Sequence, residues 1–105
     1  MTLRDKRNIK KMTFNLIKRG RISISVPLAK EVKKKTEKFI TRAKKDNAAN
    51  RRHVAKYLPA EAVEKLFTQI GPANKGKKGG YTRLLRIGPR KGDGCERCLL
   101  EIINV

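Results

Sequence analysis

Leu66-Phe67-Thr68-Gln69-Ile70-Gly71-Pro72-Ala73-Asn74-Lys75-Gly76-Lys77-Lys78-Gly79-Gly80-Tyr81-Thr82-Arg83-Leu84-Leu85-Arg86-Ile87 holds the transitions from which the rest of the chain can be read. It opens on the end of an amphipathic helix carried by Leu66, Phe67 and Ile70. Gly71-Pro72 then reads as a stop signal. Residues 73–80 form a loop with three lysines set among glycines, and a β-rich run over 81–87 follows at once. Glycines allow torsions and close approaches that other residues resist. A loop of this composition, pinned between two apolar elements, suits a polyanionic backbone; taken alone it would serve equally as a solvated surface loop.

Upstream, Ala62, Val63, Leu66, Phe67 and Ile70 recur as i, i+3, i+4, i+7 and i+8 matches from one face, after a start at Pro59. Glu61 and Lys65 are spaced for a favourable i, i+4 pair. Before that helix, Asp46 and Asn47 offer caps for a shorter one carrying Ala48, Ala49, Val54, Ala55 and Leu58. Pro27 suits the first turn of an earlier helix. That helix's apolar stripe is Leu28, Val32, Phe39, Ile40 and Ala43, with Lys30, Lys34, Lys38 and Lys45 on the opposite arc. Residues 21–26 alternate with period two, as a half-buried strand does. Residues 1–20 are a basic amphipathic helix on Ile9, Met12, Leu16 and Ile17, ended by Gly20, with Lys6, Arg7, Lys10, Lys11 and Lys18 on the remaining arc.

Downstream, the strand over 81–87 is followed by a second over about 96–104. A wide glycine- and proline-bearing hairpin loop over 88–94 joins them. The predicted order is helix-strand-helix-helix-helix-strand-strand, in a single domain spanning 1–105.

Charge points to the partner. The 105 residues carry a formal net charge of +19 and a pI near 10.7. Residues 1–56 hold 19 basic against 4 acidic side chains, and residues 57–105 hold 9 against 5. Self-repulsion on that scale opposes compaction until counter-charge arrives, so a nucleic acid is the expected partner. Candidate phosphate contacts are Lys6, Arg7, Lys10, Lys11, Lys18, Arg19 and Arg21 near the start, Arg51-Arg52, Lys75, Lys77-Lys78 and Arg90-Lys91. The run Lys33-Lys34-Lys35 reads as a solvated helix face. Arg83 and Arg86 sit at positions that send them to opposite faces of their strand.

Other function classes find little footing. No apolar run approaches membrane-spanning length, and the first twenty residues lack a signal peptide's pattern. A membrane-surface role for the first helix is the weaker alternative, since the chain has no tryptophan. His53, the lone histidine, lies beside Arg51 and Arg52 and reads as part of a basic face rather than as a base. Cys95-Glu96-Arg97-Cys98 is one C-x-x-C, half of what a structural zinc site needs; the cysteines read as packing residues, with a shared metal site or a redox role as the lesser alternative. The five aromatics are assigned mainly to the core, leaving no exposed platform for single-stranded bases. Recognition is therefore expected to rest on phosphates, 2′-hydroxyls and shape.

At Ala49-Asn50-Arg51-Arg52, at Lys65-Leu66-Phe67 through Ile70-Gly71-Pro72, and at Gly79-Gly80-Tyr81-Thr82-Arg83, the sequence resembles the bacterial-type large-subunit ribosomal protein seventeen family. The likeness runs from about Arg21 to the end, through Val26-Pro27, Ala29-Lys30-Glu31, Gly92-Asp93 and the closing strand. It implies a two-layer α+β fold, with about four helices packed on a small three-stranded sheet. It implies binding to large-subunit ribosomal RNA on the solvent side near the polypeptide exit tunnel, beside neighbouring ribosomal proteins. No cofactor, metal, small-molecule substrate or membrane is implied. The expected location is the cytoplasmic ribosome, or an organellar one. Carried over as RNA contacts are Asn50, Arg51, Arg52, Gly79, Gly80, Tyr81, Thr82 and Arg83. The family usually opens with a longer basic segment, whereas this chain begins near where that segment would end. Cysteines stand at 95 and 98 where small residues are usual. A freestanding, non-specific nucleic-acid chaperone is the rival reading.

Overall fold

The computed structural model describes residues 3–76, 78–89, 92 and 96–103, with first-helix side chains from Arg7 onward. Helix α1 (Leu3–Arg19) ends at Gly20, whose φ of 86° only glycine adopts freely, and the chain reverses into strand β1 (Arg21–Ser25). Helix α2 (Val26–Ala43) starts with Pro27 in its first turn. Helix α3 (Ala48–Ala55) is capped by Asn47, whose side chain accepts the Asn50 N–H at 2.8 Å. Helix α4 (Ala60–Lys65) runs on through a π turn (Leu66–Ile70) and a last helical turn (Gly71–Ala73). Strands β2 (Thr82–Pro89) and β3 (Glu96–Ile102) complete the chain. The α+β class and the predicted order of four helices and three strands are both present.

The sheet order is β1-β3-β2, antiparallel throughout. The closing strand is thus central, pairing Ile22 with Leu100 on one side and Leu84 with Leu100 on the other. One face, carrying Ile22, Ile24, Cys98, Leu100 and Ile102, is buried beneath the helices; the other carries Arg21, Ser23, Arg83 and Leu85 and is uncovered. The core joins this face to Ile9, Leu16 and Ile17 of α1, to Ala29, Val32, Phe39, Ile40 and Ala43 of α2, and to Leu66, Phe67 and Ile70. Among the described residues, no helix is long and apolar enough to cross a membrane.

Several expectations are corrected. Gly71-Pro72 does not stop the helix. Proline cannot donate to the helical ladder, and its ring crowds the carbonyl four residues back. The π turn widens the helix before it, with the Gly71 N–H bonded to the Leu66 carbonyl, and helical structure continues to Ala73. Gly71 is instead a packing position: a Cβ there would lie 2.4 Å from the Ala43 carbonyl oxygen of α2. In α3, Ala48, Ala49 and Ala55 are exposed, and Val54 with Leu58 just beyond bears the burial. Glu61 forms an ion pair with Lys18 at 3.7 Å, while Lys65 donates to the Lys18 carbonyl at 2.7 Å, so both serve the C-terminal end of α1. Strand β2 extends past a bulge between Arg86 and Gly88 to Pro89, into the expected loop. Asn104, placed at the end of the last strand, lies outside the described residues.

Candidate nucleic-acid interface

Along α2, Lys34, Lys38 and Arg42 recur every four residues, so they share one face and step about 6 Å along the axis. They form one wall of an open groove of about 860 Å³. His53 and Tyr57, at the end of α3, supply another wall, and Lys78 and Gly79 of the glycine-lysine loop close it. With Lys35, five cations line the groove against one carboxylate, Glu37. That carboxylate is engaged: it accepts a hydrogen bond from the Thr82 hydroxyl at 3.0 Å and lies 3.8 Å from the Lys33 ammonium. Lys34, Lys38 and Lys78 form no ion pair among the described residues. Uncompensated cations concentrated in a concave surface attract a polyanion more strongly than the same charges dispersed.

Tyr81 floors this region. Its ring is buried and its hydroxyl accepts a hydrogen bond from the Lys44 ammonium at 2.8 Å. That bond, with one involving Thr41, holds the phenol below its ordinary pKa against the opposing effect of burial. Gly80, at φ 66°, sits just before Tyr81 and turns the loop into β2. The loop composition thus delivers Lys78 to the groove and the tyrosine to the core.

Asn50 is a staple between helices. Its amide nitrogen donates to the carbonyls of Arg42 at 3.2 Å and Lys45 at 2.9 Å, satisfying groups freed where α2 ends. Arg51 makes a two-point contact with Asp46, at 2.5 and 2.8 Å, and its guanidinium lies 5.1 Å from the centre of the Phe67 ring. The hydrogen bond from Arg51 holds the Asp46 carboxyl below the usual carboxylate range. Arg52 is exposed, with one long contact of 3.4 Å to the Ala48 carbonyl. Both arginines border a shallow cleft of about 310 Å³ with Ala60 and Val63, apart from the groove.

A family model described as ribosomal protein L17 matches residues 8–103. This chain belongs to the ribosomal protein L17 family. It is 46% identical over 94 residues to the large ribosomal subunit protein bL17 of Treponema denticola, covering 89% of this chain and 52% of that one. The bL17 proteins of Finegoldia magna and Halothermothrix orenii are 39% and 40% identical, over 91% and 89% of this chain and 74% and 82% of theirs. The chain thus spans about half the length of the Treponema denticola protein.

On this L17-family scaffold the sequence-predicted contacts fall on separate surfaces. Lys78 and Gly79 meet in the groove, over Tyr81. Arg7, Lys10, Lys11, Lys18 and Arg19 lie exposed along α1, with Lys10 in a smaller cleft of about 380 Å³ that it shares with Lys35, Phe39 and Tyr57. Arg21 and Arg83 are exposed on the uncovered sheet face, where Arg83 is bound to Glu101. Arg86, at the rim of the other face, meets Glu96 at 2.9 Å. Lys75 and Gly80 are exposed in the loop. The side chain of Lys6, and Lys77, Arg90, Lys91 and Cys95 entirely, lie outside the described residues. Cys98 is buried, its thiol directed at the Ile24 carbonyl.

Three placements depart from expectation. Tyr81 and Thr82 cannot offer side chains to a partner, because core packing and the Lys44 and Glu37 contacts engage them. Tyr57, assigned beside the core, is 40% exposed. Lys34 and Lys35, read with Lys33 as a solvated face, line the groove together with Lys38 and Arg42. Lys34, Lys35, Lys38, Arg42, His53 and Tyr57 line the groove and are not among the sequence-predicted contacts. The every-fourth-residue spacing of the α2 cations was a legible signal; the meeting of α2 with α3 and the loop was not.

Proposed function

We propose that this chain is a structural constituent of the large ribosomal subunit that binds large-subunit ribosomal RNA and stabilises its fold by neutralising phosphates. The observation that carries the reading is the groove between α2, α3 and the loop, where five cations face a single, engaged glutamate, in a chain with net charge +19. The arginines at Arg51 and Arg52 and the exposed arc of α1 extend the basic surface beyond it. The role is structural rather than catalytic, and residues 1–105 act as one domain. Family membership supports a position on the solvent side of the subunit near the polypeptide exit tunnel, against neighbouring ribosomal proteins, in the cytoplasm.

Salt response tests it. Engagement of ~6–10 phosphates lowers affinity for structured ribosomal RNA by roughly 10³–10⁵ between 50 and 200 mM salt, on the duplex-DNA scale. A flat response refutes charge neutralisation as the basis of binding. Co-sedimentation separates a ribosomal constituent from a freestanding chaperone: the former stays with large subunits through a moderate-salt wash, and loss in that wash overturns the assignment.

A further inference from the structure

Tyr57 is a large aromatic held half out of the surface at the junction of two depressions. It lines both the basic groove and the smaller cleft beside α1, so it stands between them. The ring is fixed from several sides. The Phe39 ring is 6.0 Å away, the His53 ring 5.6 Å, and the Lys35 ammonium lies over it at 5.5 Å. A ring so braced gives up little freedom on binding, which favours association. Around it stand Lys34, Lys38, Arg42 and Lys78, the cations of the groove.

Aromatic rings with cations alongside suit an unstacked base together with its backbone phosphates. A paired helix hides the faces of its bases and offers only phosphates to such a groove. We propose that Tyr57, flanked by His53, is the seat of a single unpaired RNA base, with the adjoining phosphates held by Lys34, Lys38, Arg42 and Lys78. This rests on the RNA-binding reading above and adds that one feature of the RNA, an extruded nucleotide, is recognised locally. The alternative use of Tyr57, as a lid over Phe39 and Leu58, requires only an apolar side chain and no ring.

Composition supplies the assay. The chain has two tyrosines and no tryptophan, and Tyr81 is buried, so a ligand-induced loss of tyrosine emission reports mainly on Tyr57. The probes are two RNA hairpins closed by the same structured tetraloop, one with an uninterrupted stem (the paired hairpin) and one with a single-nucleotide stem bulge carrying 2-aminopurine. The full chain is expected to prefer the bulged hairpin by roughly 5- to 150-fold, the range of one base–aromatic stack. Binding should quench both tyrosine and 2-aminopurine emission. Tyr57→Phe should retain the preference. Tyr57→Leu, which keeps apolar cover over Phe39, should bind both hairpins with the affinity the parent shows for the paired one. Equal affinity of the parent for both hairpins with no quenching overturns the seat while leaving RNA binding standing. Failure to bind either hairpin at low salt overturns both. A bulge preference that survives in folded Tyr57→Leu places the recognition elsewhere and likewise overturns it.

Discussion

Gly71→Ala sets helix propensity against packing, and the two predict opposite signs. Alanine is favoured over glycine in a helix by about 1 kcal/mol. On that ground alone the substitution would stabilise the fold. The backbone at Gly71 is helical and imposes no strain on a side chain. The surroundings do. The new Cβ would stand 2.4 Å from the Ala43 carbonyl oxygen, 2.8 Å from its carbon and 3.1 Å from its Cβ. Ordinary carbon–oxygen contacts lie at about 3.3–3.6 Å, so the two segments must part by about 1 Å. The obstacle is the backbone of α2, which no rotamer change can move aside. Overpacking of this kind costs about 1–3 kcal/mol, and a backbone clash belongs at or beyond the upper end. After the propensity gain, a net loss of about 2 kcal/mol is expected. In a domain of this size each kcal/mol moves Tm by about 4–8 °C, so the melt should fall by about 8–16 °C. Circular dichroism melts and urea titrations of the parent, Gly71→Ala and Gly79→Ala measure it. A Cβ at Gly79 would meet nothing within 4 Å, and the backbone there has no positive φ, so its variant should be neutral or gain about 0.4–1 kcal/mol. A Gly71→Ala melt equal to or above the parent's refutes the close approach of Gly71 to the end of α2.

Other changes separate scaffold from surface. Phe67→Ala removes a ring that is 2% exposed and should cost about 3–5 kcal/mol by urea titration. Arg52→Ala should leave the melt unchanged, whereas Arg51→Ala should lower it, since Arg51 also holds Asp46 and covers Phe67; indistinguishable melts for the two arginine variants defeat that division. His53 titrates below its ordinary value near 6.5, because burial opposes its charge and Arg42 and Lys56 add repulsion. The unfolded chain therefore binds the proton first as pH falls, so stability should drop through the ordinary histidine pKa and level off below the folded one. The single histidine resonance in an NMR titration checks this, and a midpoint at or above 6.5 contradicts it; phosphates entering the groove should move the midpoint upward. Cys98, raised in pKa by burial, should be alkylated in a Cys95→Ser variant only as fast as the fold opens, and prompt labelling in native buffer would show the strand pairing to be wrong.

What the amino-acid order determined by itself was local and periodic. Ile9, Leu16 and Ile17 mark the buried face of α1, and the alternation over 21–26 appears in the burial of Ile22 and Ile24. Pro27 and Asn47 begin helices because their effects operate within one turn. The charge excess, likewise a sum over residues, requires no fold to be read. Tertiary structure alone decided which elements meet. The closing strand is central because β1, from the far end of the chain, pairs with the edge opposite its hairpin partner β2, and no local propensity encodes that long-range register. The helix passes Gly71-Pro72 because a π turn and the backbone of Ala43 accommodate it. Tyr57 and Tyr81 follow no distinction visible in their neighbours: one is bonded to Lys44 inside the core, the other is left at the rim of a basic groove. The groove forms where separate elements come together, and the affinity of its cations for phosphate depends on distances that only packing sets.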